Sequence, residues 1–340
     1  MKQRSVFRMR SLGVVAAATI AFAVVATTAQ AQTTVRIAKQ FGISYLPLTI
    51  MEHKQVLEEH GRRLGLDLKS EWVQFVSGAP MNEAILSGNL DFASGGVGPL
   101  LTIWGKTRGN IGVKGVAALN SMPLYLNTIN PKVKSIADFT SSDRIALPAV
   151  KISIQAITLQ MAAEKAFGDG QANKLDALTV TMSHPDAQTA LLSGQSEITA
   201  HFGSPPFQYQ QLDKPGIRTV LNSYDVLGGP ATFNTVWTTS KFRSENPRLY
   251  DAFVKALDEA IAQINADKRA ASVAYLRISK DKDSVDNILK MLNDPNIVYT
   301  MTPQGIMKYV DFMQKTGAVK VKPDSWKDLF FPNAHALQGS

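Results

Sequence analysis

The chain has 340 residues, with 36 Lys and Arg against 28 Asp and Glu, a net charge of +8 and no cysteine. The lack of cysteine excludes disulfides, thiolate metal sites, a cysteine nucleophile and a lipid-attachment cysteine. The basic residues are scattered rather than interleaved with aromatics, which argues against nucleic acid as a partner.

The first ten residues carry Lys2, Arg4, Arg8 and Arg10 and no acid, and an uncharged small and apolar run follows from Leu12 to about Ala26. That run is short for a bilayer span. It leads into Ala29-Gln30-Ala31, the small-residue pattern a signal peptidase accepts, so residues 1–31 read as a signal peptide cleaved before Gln32. Its removal leaves 32 basic against 28 acidic residues, on a length sufficient for two domains. An exported chain with no lipid anchor is expected free in the periplasm, as a monomer.

Beyond the leader one plan is followed twice, at a spacing of roughly 106 to 109 residues. Arg36-Ile37-Ala38 predicts a strand, with a turn-rich stretch and a helix ending at Gly61. Arg144-Ile145-Ala146 repeats this through Pro148, with a helix ending at Gly168. Leu66 to Val76 and Leu175 to Met182 have strand composition, and each reaches a turn with proline, Ser77-Gly78-Ala79-Pro80 and Ser183-His184-Pro185. Ala84-Ile85-Leu86-Ser87-Gly88 then matches Ala190-Leu191-Leu192-Ser193-Gly194, and the strands Leu90 to Ala93 and Ile198 to Ala200 follow. Gly95-Gly96-Val97-Gly98-Pro99 and His201-Phe202-Gly203-Ser204-Pro205 introduce further helices.

Repeated strand–turn–helix units predict mainly parallel sheets with helices on both faces, an α/β fold of two doubly wound lobes. The extended runs Val113 to Leu119 and Leu124 to Ile129 flank the link into the second lobe, and Thr232 to Trp237 supplies the return. The first lobe is therefore expected to be discontinuous, residues 32–121 and 232–340, and the second to span 122–231. After Asn246-Pro247, the residues Phe253, Val254, Leu257, Ile261 and Ile264 recur at helical spacing, the stripe of a helix packed on a core.

Ligands of open α/β sheets bind outside the carboxyl ends of the strands. On the first rim the candidates are Phe41, Gly42, Ser44, Tyr45, Ser77, Gly78, Ala79, Gly96 and Val97; on the second they are Lys151, Ser153, His184, His201 and Phe202. Asn120 and Asn234 are candidates at the two links. Ser77 and Ser183 stand at N-cap positions, with Pro80 and Pro185 in or near the first turn. Helix N-termini of this kind favour an anion, although the same serines also serve simply as caps. HExxH, G-x-S-x-G and Walker patterns are missing, and no metal or organic cofactor is expected.

Phe41-Gly42-Ile43-Ser44-Tyr45-Leu46-Pro47, Ser77-Gly78-Ala79-Pro80, Leu86-Ser87-Gly88-Asn89-Leu90-Asp91-Phe92 and Ser135-Ile136-Ala137-Asp138-Phe139, behind an export signal, resemble the substrate-binding proteins of nitrate, sulfonate and taurine ABC importers. The resemblance implies a type II periplasmic-binding-protein fold, two lobes joined by a two-segment hinge. It also implies capture of a small anion between the lobes and delivery to a membrane permease with its ATPase. Nitrate, bicarbonate, sulfonates, aromatic acids and pyrimidines all occur as ligands in that family. A related group in thiamine-pyrimidine synthesis uses a cysteine-rich motif that this chain lacks. Two rival functions use the same cleft: a periplasmic enzyme acting on a small acid, and a ligand-sensing partner of a signalling protein.

Overall fold

A computed structural model describes residues Gln32–Ser340; the leader and its cleavage site lie outside the described residues. Twelve strands are present among these residues: β1 (Thr33–Lys39), β2 (Leu68–Gln74), β3 (Ala93–Gly96), β4 (Val113–Ala118), β5 (Asn120–Ser121), β6 (Tyr125–Thr128), β7 (Ile145–Leu147), β8 (Thr179–Thr181), β9 (Ala200–Phe202), β10 (Arg218–Asn222), β11 (Asn234–Thr239) and β12 (Val298–Tyr299). They form two main sheets built alike. In the first, β1 and β2 pair in parallel, and β3-β11-β4 continue beside them. The two parts join where Ala38 N–H donates to the Phe92 carbonyl at 2.9 Å and Ile37 bridges Phe92. The second sheet runs β8-β7-β9-β6-β10.

Each sheet therefore has the same spatial plan, with one strand of opposite direction in the same place. β11 runs antiparallel to both β3 and β4, and β6 runs antiparallel to both β9 and β10. Those two strands arrive from the other half of the sequence. After β4 the chain passes through β5 into β6 of the second sheet, and after β10 it returns as β11 of the first. "Mainly parallel" thus holds for the strands that belong to each repeat and fails for the incoming one, because a chain entering from the far sheet meets its neighbours head to tail.

The elements fall near their predicted places, with informative shifts. The helical stretch after Tyr45 is two helices, Leu46–Lys54 and Val56–Arg63, divided at Gln55 in the left-handed region (φ 53). Gly61 lies inside the second of these rather than capping it, because Leu68 occupies the space a side chain would need; a Cβ there would sit 2.5 Å from Leu68 Cδ1. Gly168 does cap the helix Ile154–Phe167. Strands β3 and β9 start two to three residues later than expected, and the 3-10 turn Ala172–Leu178 shortens the expected strand to β8.

Helix Pro247–Ala266 lays Leu249, Phe253, Leu257, Ile261 and Ile264 on the core of the first sheet, and Phe253 stacks on Phe92 at 3.7 Å between ring centroids. Trp237 on β11 is fully buried. Among the described residues no helix is long and apolar enough to cross a membrane.

Asp91 fastens the seam of the first sheet: its carboxylate accepts from the Arg36 backbone N–H at 2.8 Å and from the guanidinium at 3.0 and 3.2 Å. Because these bonds are charge-assisted and half-buried, Asp91→Ala is expected to lower unfolding stability by about 2 kcal/mol in a urea titration, with little change in slope.

Candidate functional site

Four helices begin at the carboxyl ends of strands and aim their N-termini at one place between the sheets. Gly78–Leu86 follows β2 and Val97–Thr107 follows β3, both on the first sheet; Ile154–Phe167 follows β7 and His184–Ser193 follows β8 on the second. Gly78, Gly96, Ser153, Ile154 and His184, at or beside these N-termini, line a common cavity of about 20 Å³. Gln40, Tyr45, Pro99, Pro148, Gln155 and Phe233 complete its wall, so no lining side chain carries a formal charge at neutral pH. The space holds roughly one water.

The cavity is small because the two sheets' helices touch across it. Gly96 and Gly98 permit the approach: a Cβ on Gly96 would lie 2.7 Å from Ile154 Cγ2, and one on Gly98 would lie 2.4 Å from Ile157 Cδ1 and 2.6 Å from the Ile152 carbonyl oxygen. On the far side Ile43 N–H donates to the Pro205 carbonyl at 3.2 Å. Outside this contact the gap widens into a hollow of about 500 Å³ lined by Lys39, Phe41, Gly42, Gln188, Phe207 and the Tyr275–Lys282 stretch. Lys39 there is buried and ion-paired with Glu52.

The two sheets cap their helices differently. Ser153 and Ser183 accept from Ala156 N–H at 3.2 Å and Asp186 N–H at 3.3 Å. Ser77 makes no side-chain cap and Gly96 has no side chain to make one. First-turn N–H groups of the first-sheet helices are therefore left without a side-chain acceptor, at the positive end of the helix dipole.

Behind the wall His184 Nδ1 lies 2.9 Å from His201 Nε2, and His184 stacks on Phe207 at 5.6 Å. Burial pushes the His184 imidazole down to about 3 and His201 well below its ordinary value, the latter with some further lowering from His184. Both rings are neutral at physiological pH.

Of the residues singled out from sequence, Tyr45, Gly78, Gly96, Ser153 and His184 meet at the cavity. Phe41 and Gly42 line the outer hollow. His201 stands behind His184, and Asn234 accepts from the Tyr45 hydroxyl at 3.4 Å. Asn120 donates to the Ser44 carbonyl, so these two support the loop under Tyr45. Ser77 and Val97 are buried beside the lining glycines, and Ala79 is half-buried in the same turn as Gly78. Phe202 is fully buried core. Lys151 lines a separate surface hollow with Gln160, Asn173 and Asp176 and is not brought to the cavity. Gln155, Pro99 and Phe233 were not singled out; Gln155 is two residues past the Ser153 cap, where a first-turn side chain on a rim helix belongs. Among the described residues no group of three or more His, Cys, Asp or Glu is placed to hold a metal ion.

No family model and no curated protein matches the chain. Solved structures do. The alkanesulfonate-binding protein SsuA of Xanthomonas axonopodis pv. citri, bound to MOPS, superposes with a TM-score of 0.67 at 18% identity, over 88% of this chain and 97% of that one. The periplasmic nitrate-binding protein NrtA of Synechocystis gives 0.66 at 13% identity, over 90% and 86%. A Candida albicans protein described as having the generic periplasmic binding protein fold gives 0.65 at 15% identity, over 86% and 92%. The chain has the periplasmic-binding-protein fold. At these identities the likeness is one of fold, and it matches the α/β architecture expected from the sequence. In this periplasmic-binding-protein fold the cavity lies between the carboxyl ends of the two sheets, where the four helices begin.

The buried histidines set a pH dependence. Above pH 6.5 both the folded and unfolded chains hold them neutral; as pH falls from 6.5 toward 3 the unfolded chain takes up protons that the fold refuses, so stability is lost. The slope contributed is up to about 1.4 kcal/mol per pH unit for each ring. Urea unfolding between pH 7 and pH 4.5 should show this loss, and the double variant His184→Gln/His201→Gln should flatten it. Histidine C–H resonances of these two rings that titrate near pH 6.5 in the folded protein would overturn the reading.

Proposed function

We propose that the chain is a solute receptor of an ABC importer, exported to the periplasm and working as a monomer. It holds a small organic anion between the two sheets and hands it to a membrane permease coupled to an ATPase. The observation that supports this best is the convergence of four helix N-termini on a cavity with no charged lining. Neutral donors and helix dipoles stabilise an anion without the desolvation cost of burying a lysine or arginine beside it. The sulfonate and nitrate proteins that share the fold agree with that chemistry.

On this reading the first lobe is residues 32–121 and 232–340, the second is 122–231, and the hinge is the pair of crossing segments. The cavity of about 20 Å³ is too small for a sulfonate or carboxylate, which supports reading the lobes as drawn together. Entry of a solute separates Gly96 and Gly98 from Ile154 and Ile157, and the outer hollow is the path in. A micromolar affinity needs about 8 kcal/mol, within reach of several charge-assisted hydrogen bonds in a desolvated cleft.

A thermal-shift panel of sulfonates, carboxylates, nitrate and pyrimidines is expected to show a raised melting temperature for anions alone, with the ligand recovered unchanged. Calorimetry on Gln155→Ala and Gln40→Ala should then show binding weakened about tenfold or more. Ligand turned over, or stabilisation by cationic solutes only, would sink the receptor reading. A further expectation concerns export: the intact mass of protein taken from the periplasm should correspond to a chain beginning at Gln32.

A further inference from the structure

A line of polar side chains runs back from the cavity into the second sheet, and its polarity is fixed from the far end. Asn127 on β6 is fully buried, and its amide nitrogen lies 2.8 Å from the backbone carbonyl of Gln208, a group that can only accept. That orients the amide. The same nitrogen faces Gln211 Oε1 at 3.1 Å, while Asn127 Oδ1 accepts from the Thr219 hydroxyl at 2.7 Å. With its oxygen committed to Asn127, Gln211 turns its NH2 toward His201 Nδ1, at 2.5 Å.

A neutral imidazole has one donor and one acceptor nitrogen. Since Nδ1 of His201 accepts, its proton sits on Nε2, which donates across 2.9 Å to His184 Nδ1. The His184 proton is then on Nε2, the nitrogen on the side of Gln155 and the cavity. Gln155 stands 3.4 Å from that nitrogen, and its amide can turn either its oxygen or its NH2 toward it. Asn127, Gln211 and His201 are all fully buried, His184 nearly so, so water cannot exchange these roles.

We propose that Asn127, Gln211 and His201 are positioning residues that hold His184 with its N–H on Nε2 toward the cavity, so that the site demands a ligand oxygen that accepts and rejects a group that must donate. The inference rests on the cavity being the solute site. It deepens that reading by assigning selection for an unprotonated oxyanion, such as a sulfonate or carboxylate oxygen, to a relay that begins about three side chains away. An isolated histidine would switch tautomer to suit either kind of ligand. Here a switch either breaks the bond to the Gln208 carbonyl or leaves two like groups facing each other at one buried link of the line.

The test uses histidine labelled with nitrogen-15 in the ligand-free mature chain, where ring-nitrogen shifts report the tautomer, followed by calorimetry with 1-propanesulfonate. In the wild type both rings are expected as the Nε2–H form. His201→Leu, and more remotely Gln211→Met, should release His184 to a mixture of tautomers and weaken sulfonate binding about tenfold or more. His201→Gln should restore both, because the Gln amide accepts from Gln211 through its oxygen and donates to His184 through its nitrogen. An Nδ1–H form of His184 in the wild type would overturn the proposal, as would a His184 tautomer indifferent to both relay-breaking variants. If the tautomers respond as stated while no sulfonate, carboxylate or nitrate binds, the relay stands and the anion reading of the cavity is what fails.

Discussion

Everything that the two sheets do together depends on a short ladder between the two places where the chain crosses from one to the other. Leu119 N–H donates to the Asn234 carbonyl at 2.8 Å, Phe233 N–H to the Asn120 carbonyl at 3.2 Å, and Ser121 bridges Thr232. Asn234 N–H turns to the Asn120 side chain at 3.3 Å. These bonds lock two segments more than a hundred residues apart side by side, and β12 pairs with β5 alongside them. Loop-closure entropy makes such a pairing costly to form, but once formed it leaves few backbone torsions free between the sheets. Tyr45, bonded to Asn234, and Phe233 reach the cavity beside this ladder, so the crossing segments and the wall are one structure.

The cavity and its mouth divide the electrostatic work. Inside, the donors are neutral: backbone N–H groups at helix starts, an imidazole held uncharged by burial, and the amides of Gln40 and Gln155. Lys39, ion-paired with Glu52, and Lys280 and Lys282, with Asp281 between them, stand at the outer hollow instead. A lysine moved into the wall would carry a desolvation cost of several kcal/mol and, in the empty protein, no partner to offset it. On the receptor reading, the dipoles inside hold an anion without leaving a buried charge when it departs.

Local signals were the legible part of this sequence. The Ser77 and Ser183 turns, the glycine that ends the helix at 168 and the stripe after Asn246-Pro247 are written in runs of a few residues, and each lies where a helix starts or stops. The offset of 106 residues between the two serines places their helices in equivalent positions of the two sheets. What the sequence does not display is contact across the gap. Pro99 reaches the cavity because Gly78 lets its neighbouring helix close in, and Ile154 because glycines 96 and 98 let helices from different sheets meet, properties of pairs well separated in the chain. Lys151 shows the converse: its charge drew attention, yet it sits in the left-handed region (φ 63) on a turn that faces another hollow. His201 and Phe202 are neighbours on one strand, so their side chains point to opposite faces, and only one can stand behind His184.

The close fit at Gly96 and Gly98 has a consequence for affinity. On the two-lobe reading, the drawn-together arrangement already buries Ile154, Pro99 and Phe233 with no solute present, so a ligand competes with the protein's own packing for that surface. If only a fraction of molecules is open, the apparent dissociation constant rises by the inverse of that fraction. On the same reading the fit also sharpens discrimination, because a solute has to replace apolar contact and at the same time satisfy the proposed His184 donor. A neutral apolar molecule supplies the first and leaves the N–H only the Gln155 amide to bond; a strongly hydrated small ion supplies the second and leaves Ile154 facing a void. On that reading a ligand with an oxyanion at one end and a short apolar body answers both demands, and the packing across the cleft is what makes both necessary.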